Sequence, residues 1–160
     1  MATIRAARSD EARRIADFQQ RMAAETEGML LHGPTVLAGV EAIFDDPRKG
    51  EYIVAVDEDA DRIVGALLTL PEWSDWRNGT VLWIHSVYVI PEYRGQGIFR
   101  SMYQFLQDKI RNDGSLMGLR LYVDRANTGA RKTYEAMGMD GEHYVTYEWM
   151  KEGSGGGKAS

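Results

Sequence analysis

The chain has 160 residues, 44% of them hydrophobic and 27% charged, with a formal net charge of −5 and no cysteine. That is the balance of one globular domain, and it excludes a disordered or fibrous chain, a disulfide scaffold, Cys-ligated zinc, iron–sulfur clusters and a thiol nucleophile. The acidic balance disfavours nucleic acid and suits a cationic small substrate; no apolar run nears the ~20 residues of a membrane span, and Met1-Ala2-Thr3-Ile4-Arg5 lacks a secretory layout, so a cytoplasmic protein off the membrane is expected.

Thr3 to Ala7 alternates as a short strand, and Ser9 or Asp10 is placed to cap a helix through Ala12, Ile15, Phe18, Met22 and Ala23 that ends at Gly28. Pro34 opens a second helix with Val36, Leu37, Val40, Ile43 and Phe44 as its apolar stripe, and Asp46-Pro47 stops it. Two strand-like runs, 52–56 and 63–70, flank an acidic turn and read as a hairpin. A turn-rich connection over 71–80 ends in Asn78-Gly79 and leads into the longest strand candidate, 81–90, closed by Pro91. Helical spacing over 98–112 and a short apolar strand over 119–123 come next. Asn127 is placed to cap a last helix through Ala130, Tyr134 and Met137, closed by Gly138, and 144–150 reads as a final strand. The stretch 151–160 is rich in glycine and has the composition of an appended flexible tail. This order predicts one α/β domain over 3–150, with a mixed, mostly antiparallel sheet of six to seven strands and helices on both faces. An exposed final strand would offer an edge for a homodimer.

The most informative stretch is Val87-Tyr88-Val89-Ile90-Pro91-Glu92-Tyr93-Arg94-Gly95-Gln96-Gly97-Ile98-Phe99-Arg100, a strand followed by a Gly-x-Gly turn and a helix start. Two glycines allow torsions and a backbone approach that a side chain would forbid, and the free N–H groups of the first helical turn face outward at the positive end of the helix dipole. A phosphate or pyrophosphate is the expected guest, with Arg94 and Arg100 adding charge; a plain strand–helix turn with solvated arginines is the competing reading. A dinucleotide fingerprint needs glycine where Arg100 stands, and a P-loop needs Gly-Lys-Ser/Thr, so NAD and nucleoside triphosphates fit poorly. His32, His85 and His143 lack metal-ligand spacing, and no metal is expected.

With these residues in view, the sequence resembles the GNAT superfamily of acyl-CoA-dependent N-acetyltransferases. Arg94-Gly95-Gln96-Gly97-Ile98 matches the family's Arg/Gln-x-x-Gly-x-Gly/Ala start, with Phe99 where Gly or Ala is usual; a second block follows in Leu119 to Asp124, Asn127, Ala130 and Tyr134 to Met139. The resemblance covers residues 3–150 and implies a GNAT-like fold with acetyl-CoA as acetyl donor to a primary amine of a small molecule or peptide. It implies that the backbone of Val87, Tyr88 and Val89 pairs with the acetyl-pantetheine arm and that Arg94, Gly95, Gln96, Gly97, Ile98, Phe99 and Arg100 hold the pyrophosphate. Asn127 would contact the pantetheine, and Tyr134 would stand near the sulfur as general acid. Acetyl transfer then proceeds by direct attack in a ternary complex, which needs no covalent enzyme intermediate.

The general base is open between two readings of His85, a proton acceptor in the strand or a buried structural histidine. Alternation sets Trp83, His85 and Val87 on one face. Glu25 and Glu27 at the end of the first helix are candidate ligands for a cationic acceptor, or else a solvated helix end. Trp73 and Asp75, in a loop that also holds Trp76, offer cation–π and charge contacts to an ammonium, or else brace the hairpin. A non-catalytic acyl-CoA-binding module is the alternative of a different class.

Overall fold

The computed structural model describes residues 2–153, so the expected tail lies outside the described residues from 154 onward. Contacts divide the chain into two units, the first ending at Leu121 and the second beginning at Tyr122.

The first unit is a five-stranded sheet in the order β1 (Ala2–Ala6), β2 (Glu51–Asp57), β3 (Arg62–Ser74), β4 (Gly79–Val89) and β5 (Leu116–Leu121). The first four strands pair antiparallel with their sequence neighbours, and β5 runs parallel to β4. Three helices belong to this unit: α1 (Ala12–Glu27), α2 (Gly33–Asp45) and α3 (Ile98–Asn112). They lie on both faces, as expected. Tyr52 and Tyr88 stand opposite Leu68 and Ala66, two residues apart on β3, and so share a face. Tyr88 packs on Phe18 of α1 with ring centroids 5.1 Å apart, and Tyr52 on Phe44 of α2 at 5.8 Å. Gly65 points the other way, where a Cβ would come within 3.2 Å of Ile98 of α3. Ile15, Phe18, Ile53, Val54, Val64, Leu67, Ile90, Met102 and Leu106 form the fully buried core between these layers.

Neither Ser9 nor Asp10 caps α1; a short 3-10 turn precedes it, and the Glu11 carboxylate accepts the Arg8 N–H at 2.7 Å while Arg5 holds its other oxygen at 2.6 Å. Gly28 does end the helix, left-handed at φ 63°. The connection expected over 71–80 is largely strand. β3 continues through Pro71 because that residue lies past Thr69, the last β3 residue opposite β2, where a missing N–H leaves no ladder bond unmade. The turn shrinks to 75–78, with Asn78 left-handed at φ 50°.

In the second unit, α4 (Thr128–Ala136) starts where expected, with the Asn127 carboxamide oxygen accepting the Ala130 N–H at 3.1 Å. The expected strand over 144–150 is not formed, and the sheet has five strands rather than six or seven. Alternation over Tyr144 to Met150 is a half-signal: a strand exists only where a neighbour completes its ladder, and these residues stand exposed without one. The homodimer expected through that strand loses the edge on which it rested.

Candidate acyl-donor site

The site is built on the C-terminal half of β4. Opposite β3, Ala66 faces Tyr88 and Leu68 faces His85, so Ser86 and Val87 together stand opposite Leu67. This is a β-bulge, and it holds Ser86 at φ 54°, a left-handed torsion uncommon for serine. A bulge leaves ladder groups unmatched and shifts the side-chain phase by one. Trp83 and His85 therefore share a face as expected, but Tyr88 follows in that phase, and the expected place of Val87 there is corrected. On the other flank, β5 pairs with β4 only as far as Leu121 opposite Ile84. From His85 to Val89, β4 has no strand neighbour on that side among the described residues.

The chain then turns at once. Pro91 to Tyr93 form a 3-10 turn, Gly95 and Gly97 are left-handed at φ 75° and 79°, and α3 starts at Ile98 with Gly97 as N-cap and no side-chain cap. No atom lies within 4 Å of where a Cβ would stand on either glycine. The glycines answer to torsion, and the space over them is open. No side chain caps the helix, and a helix N-terminus of this kind is the positive end of the helix dipole, which favours an anion. Arg100 is exposed on that turn and Phe99 packs 6.4 Å from Tyr103. Gln96 turns its amide back to the Glu92 carbonyl at 2.9 Å. The open glycine turn thus follows directly on the part of β4 that has no strand neighbour beyond Ile84 on the β5 side among the described residues.

Arg94 is placed differently from a solvated phosphate ligand. Its Nε donates to the Val89 carbonyl at 2.8 Å, and Nη2 to Glu25 Oε2 at 2.6 Å. Glu25 Oε1 accepts the Tyr88 hydroxyl at 2.8 Å, so the structure brings together three residues that the sequence assigned to separate roles. The Arg94 guanidinium, and after it the Tyr88 hydroxyl, hold the Glu25 carboxyl below the usual carboxylate range. Glu27 is exposed at the last turn of α1. Tyr93 and Asp57, which sequence reasoning passed over, tie the turn to the β2–β3 hairpin through a hydrogen bond from the phenol to the carboxylate.

His85 is half-buried, 6.3 Å ring to ring from Trp83, and burial pushes its imidazole below the ordinary value of 6.5. Trp83 itself donates its indole N–H to Glu72, which also pairs with Arg120 at 3.3 Å. Tyr134 lies on α4, and burial raises its phenol above 10. Trp73 and Asp75 are not brought to this end. They lie at the tip of the β3–β4 hairpin, and the ten residue steps from Gly79 to Val89 separate that tip from the glycine turn by roughly 30 Å. Trp73 and Trp76 are 64% and 92% exposed there.

The sequence profile of the acetyltransferase (GNAT) family matches residues 10–139. A possible acetyltransferase from Clostridium difficile 630 is similar in structure at 40% identity and TM-score 0.87, covering 94% of this chain and 98% of that one. Ribosomal-protein-alanine N-acetyltransferase from Brucella melitensis biovar Abortus 2308 has the same fold at 19% identity and TM-score 0.73, covering 94% of this chain and 100% of that one. Glucosamine-6-phosphate N-acetyltransferase from Arabidopsis thaliana shares it at 18% identity and TM-score 0.70, with 94% and 99% covered. No curated protein matches the sequence.

Proposed function

Because this chain belongs to the acetyltransferase (GNAT) family, we propose that it moves an acetyl group from acetyl-CoA to a primary amine of a small molecule or peptide by direct attack in a ternary complex. The observation that carries this reading is the juxtaposition on β4. The Ser86–Val87 bulge, and a stretch of β4 beyond Ile84 that β5 no longer accompanies, run directly into an α3 N-terminus with no side-chain cap and two left-handed glycines. One end of that track suits an acyl-pantetheine arm paired like an added strand, the other a pyrophosphate.

Acetyl-CoA supplies an activated acyl group and a thiol leaving group. The remaining requirements fall to the chain. An alkyl ammonium keeps its proton to a pH of roughly 10, so the acceptor needs a base. His85, kept neutral by burial near pH 7, takes that proton directly or through a water. As the C–N bond forms, a backbone N–H at the bulge near Val87 donates to the carbonyl oxygen that gains charge. When the C–S bond breaks, Tyr134 gives its phenol proton to the sulfur, a role that rests on the family resemblance together with a phenol that burial keeps protonated. The acylated nitrogen sheds its second proton, which by way of water restores the Tyr134 phenol, and the proton held by His85 returns to solvent, leaving an amide and a thiol.

The test is thermal unfolding with acetyl-CoA, CoA and NAD in parallel, followed by thiol release with amine mixtures. A ligand at a hundred times its dissociation constant adds about 2.7 kcal/mol, which is readily seen. Stabilisation by both CoA species but not NAD, with amine-dependent thiol release, is expected. CoA binding without thiol release would leave a binding module, and no shift with either CoA species would overturn the donor reading.

A further inference from the structure

We propose that Arg94 and Glu25 are positioning residues: a strut, closed by Tyr88 and the Val89 carbonyl, that holds the start of the glycine turn so that the backbone, and not the Arg94 side chain, receives the donor's phosphates. The inference rests on the donor-binding reading above and concerns how that site is held in shape.

Three observations carry it. Arg94 bonds the Val89 carbonyl at 2.8 Å and Glu25 at 2.6 Å, and its guanidinium carbon lies 5.4 Å from the Tyr88 ring centroid. The guanidinium is thus aimed at the α1 face of the sheet, whereas α3 and its N–H groups pack on the opposite face. Second, Glu25 has one oxygen on Arg94 and the other on Tyr88, so its charge is matched inside the protein. Third, the strut ends on a fixed point. Tyr88 is 4% exposed and packs on Phe18, so tying Arg94 to it anchors the turn to the core. The other side of the same turn is held too. Tyr93 donates to Asp57, and Arg62 reaches Glu92 at 3.6 Å while lying 5.7 Å from the Tyr93 ring centroid. The 91–94 segment is clamped from two directions, and a clamped loop loses little freedom when a ligand arrives.

A strut and a phosphate ligand differ in sign and in salt response. Removing the Glu25 charge from beside a phosphate-binding arginine would free that arginine and tighten donor binding. Removing it from a strut loosens the turn and weakens binding. The experiment is calorimetric titration of CoA into wild type, Glu25→Gln, Arg94→Gln and the double variant at two ionic strengths. Each single variant is expected to weaken CoA about three- to fivefold, the range of a partly exposed ion pair, with the double variant no worse than the weaker single one. The ionic-strength dependence should stay that of wild type, because no phosphate contact is lost. Tyr88→Phe keeps the ring and loses one hydroxyl, and about a twofold weakening is expected, which serves if Glu25→Gln does not fold.

Unchanged or tighter CoA binding in Glu25→Gln would overturn the strut, as would a flattened salt response in Arg94→Gln or additive losses in the double variant. Wild type without affinity for CoA would instead overturn the donor reading. Amide exchange over residues 92–97 separates the two: faster exchange in Glu25→Gln than in wild type supports the strut, and equal exchange overturns it.

Discussion

The two ends of β4 are made from similar residues and do opposite things. From Thr80 to Ile84 the strand lies between β3 and β5 with a neighbour on each side, and its backbone groups are engaged in the sheet. From His85 to Val89 the β5 pairing stops and a bulge interrupts the β3 pairing. The first half is held in the sheet on both sides, and the second, on the proposed reading, is where an acyl donor would lie. The difference teaches that the proposed site would depend on where main-chain pairing stops, with side chains such as Arg94 arranged to hold that segment in place.

The largest effect should come from closing the ligand end. Gly97 is left-handed at φ 79°, a torsion that a β-branched residue adopts only under strain, and the space above it is open. Gly97→Val would carry roughly 1–3 kcal/mol of torsional strain and fill the cradle with a side chain. Loss of CoA affinity of at least about thirtyfold is expected by titration calorimetry, together with a lowered melting temperature. Near-normal affinity would mean that the donor's phosphates lie elsewhere.

How much of this was legible in the sequence follows from the range of the physics involved. The glycine turn and α3 were legible because their signals are local: a proline, two glycines and a clean helical stripe follow one another from Pro91 to Asn112. The bulge was not, because Ser86 and Val87 sit in an alternating apolar run and the left-handed torsion at Ser86 depends on how β3 and β4 register. The Arg94–Glu25 pair spans 69 residues, and no local pattern reveals which carboxylate an arginine will find. The segment 144–150 shows the reverse failure. Its alternation was visible, but a strand needs a partner that the pattern does not encode.

A smaller effect, and a sharper one, concerns the side chain nearest the boundary between the two halves. Burial lowers the His85 pKa from 6.5, so the imidazole is neutral at pH 7 and gains a proton only on acidification through that lowered value. If His85 is the base, kcat/KM should fall about tenfold per pH unit on that acid side, and His85→Ala should lower the rate about a hundredfold at neutral pH and remove the limb. Stability moves in the same direction. Below about 6.5 the unfolded chain binds a proton that the folded one resists, so wild type loses stability on acidification and His85→Ala loses less. An acid limb that survives in the variant would assign His85 to packing against Trp83.

The smallest effect is expected at the opposite end of the strand. Trp76 is 92% exposed at the hairpin tip, roughly 30 Å from the glycine turn by strand length. An amine of a few carbons at the reacting end of β4 cannot reach it, so Trp76→Ala should leave kcat/KM for small amines within about twofold of wild type, as for an exposed surface change. A peptide of ten or more extended residues could span the distance, since each residue adds roughly 3.3 Å. For such an acceptor the tip tryptophans and Asp75 become available as cation–π and charge contacts, and Trp76→Ala should then raise KM by about threefold without changing kcat, the pattern of a uniform binding contact. Measuring both acceptors with one variant therefore reads the length of the substrate from the protein. An equal loss for both would mean that the hairpin end and the ligand end are coupled through β4, and that the division between them does not hold.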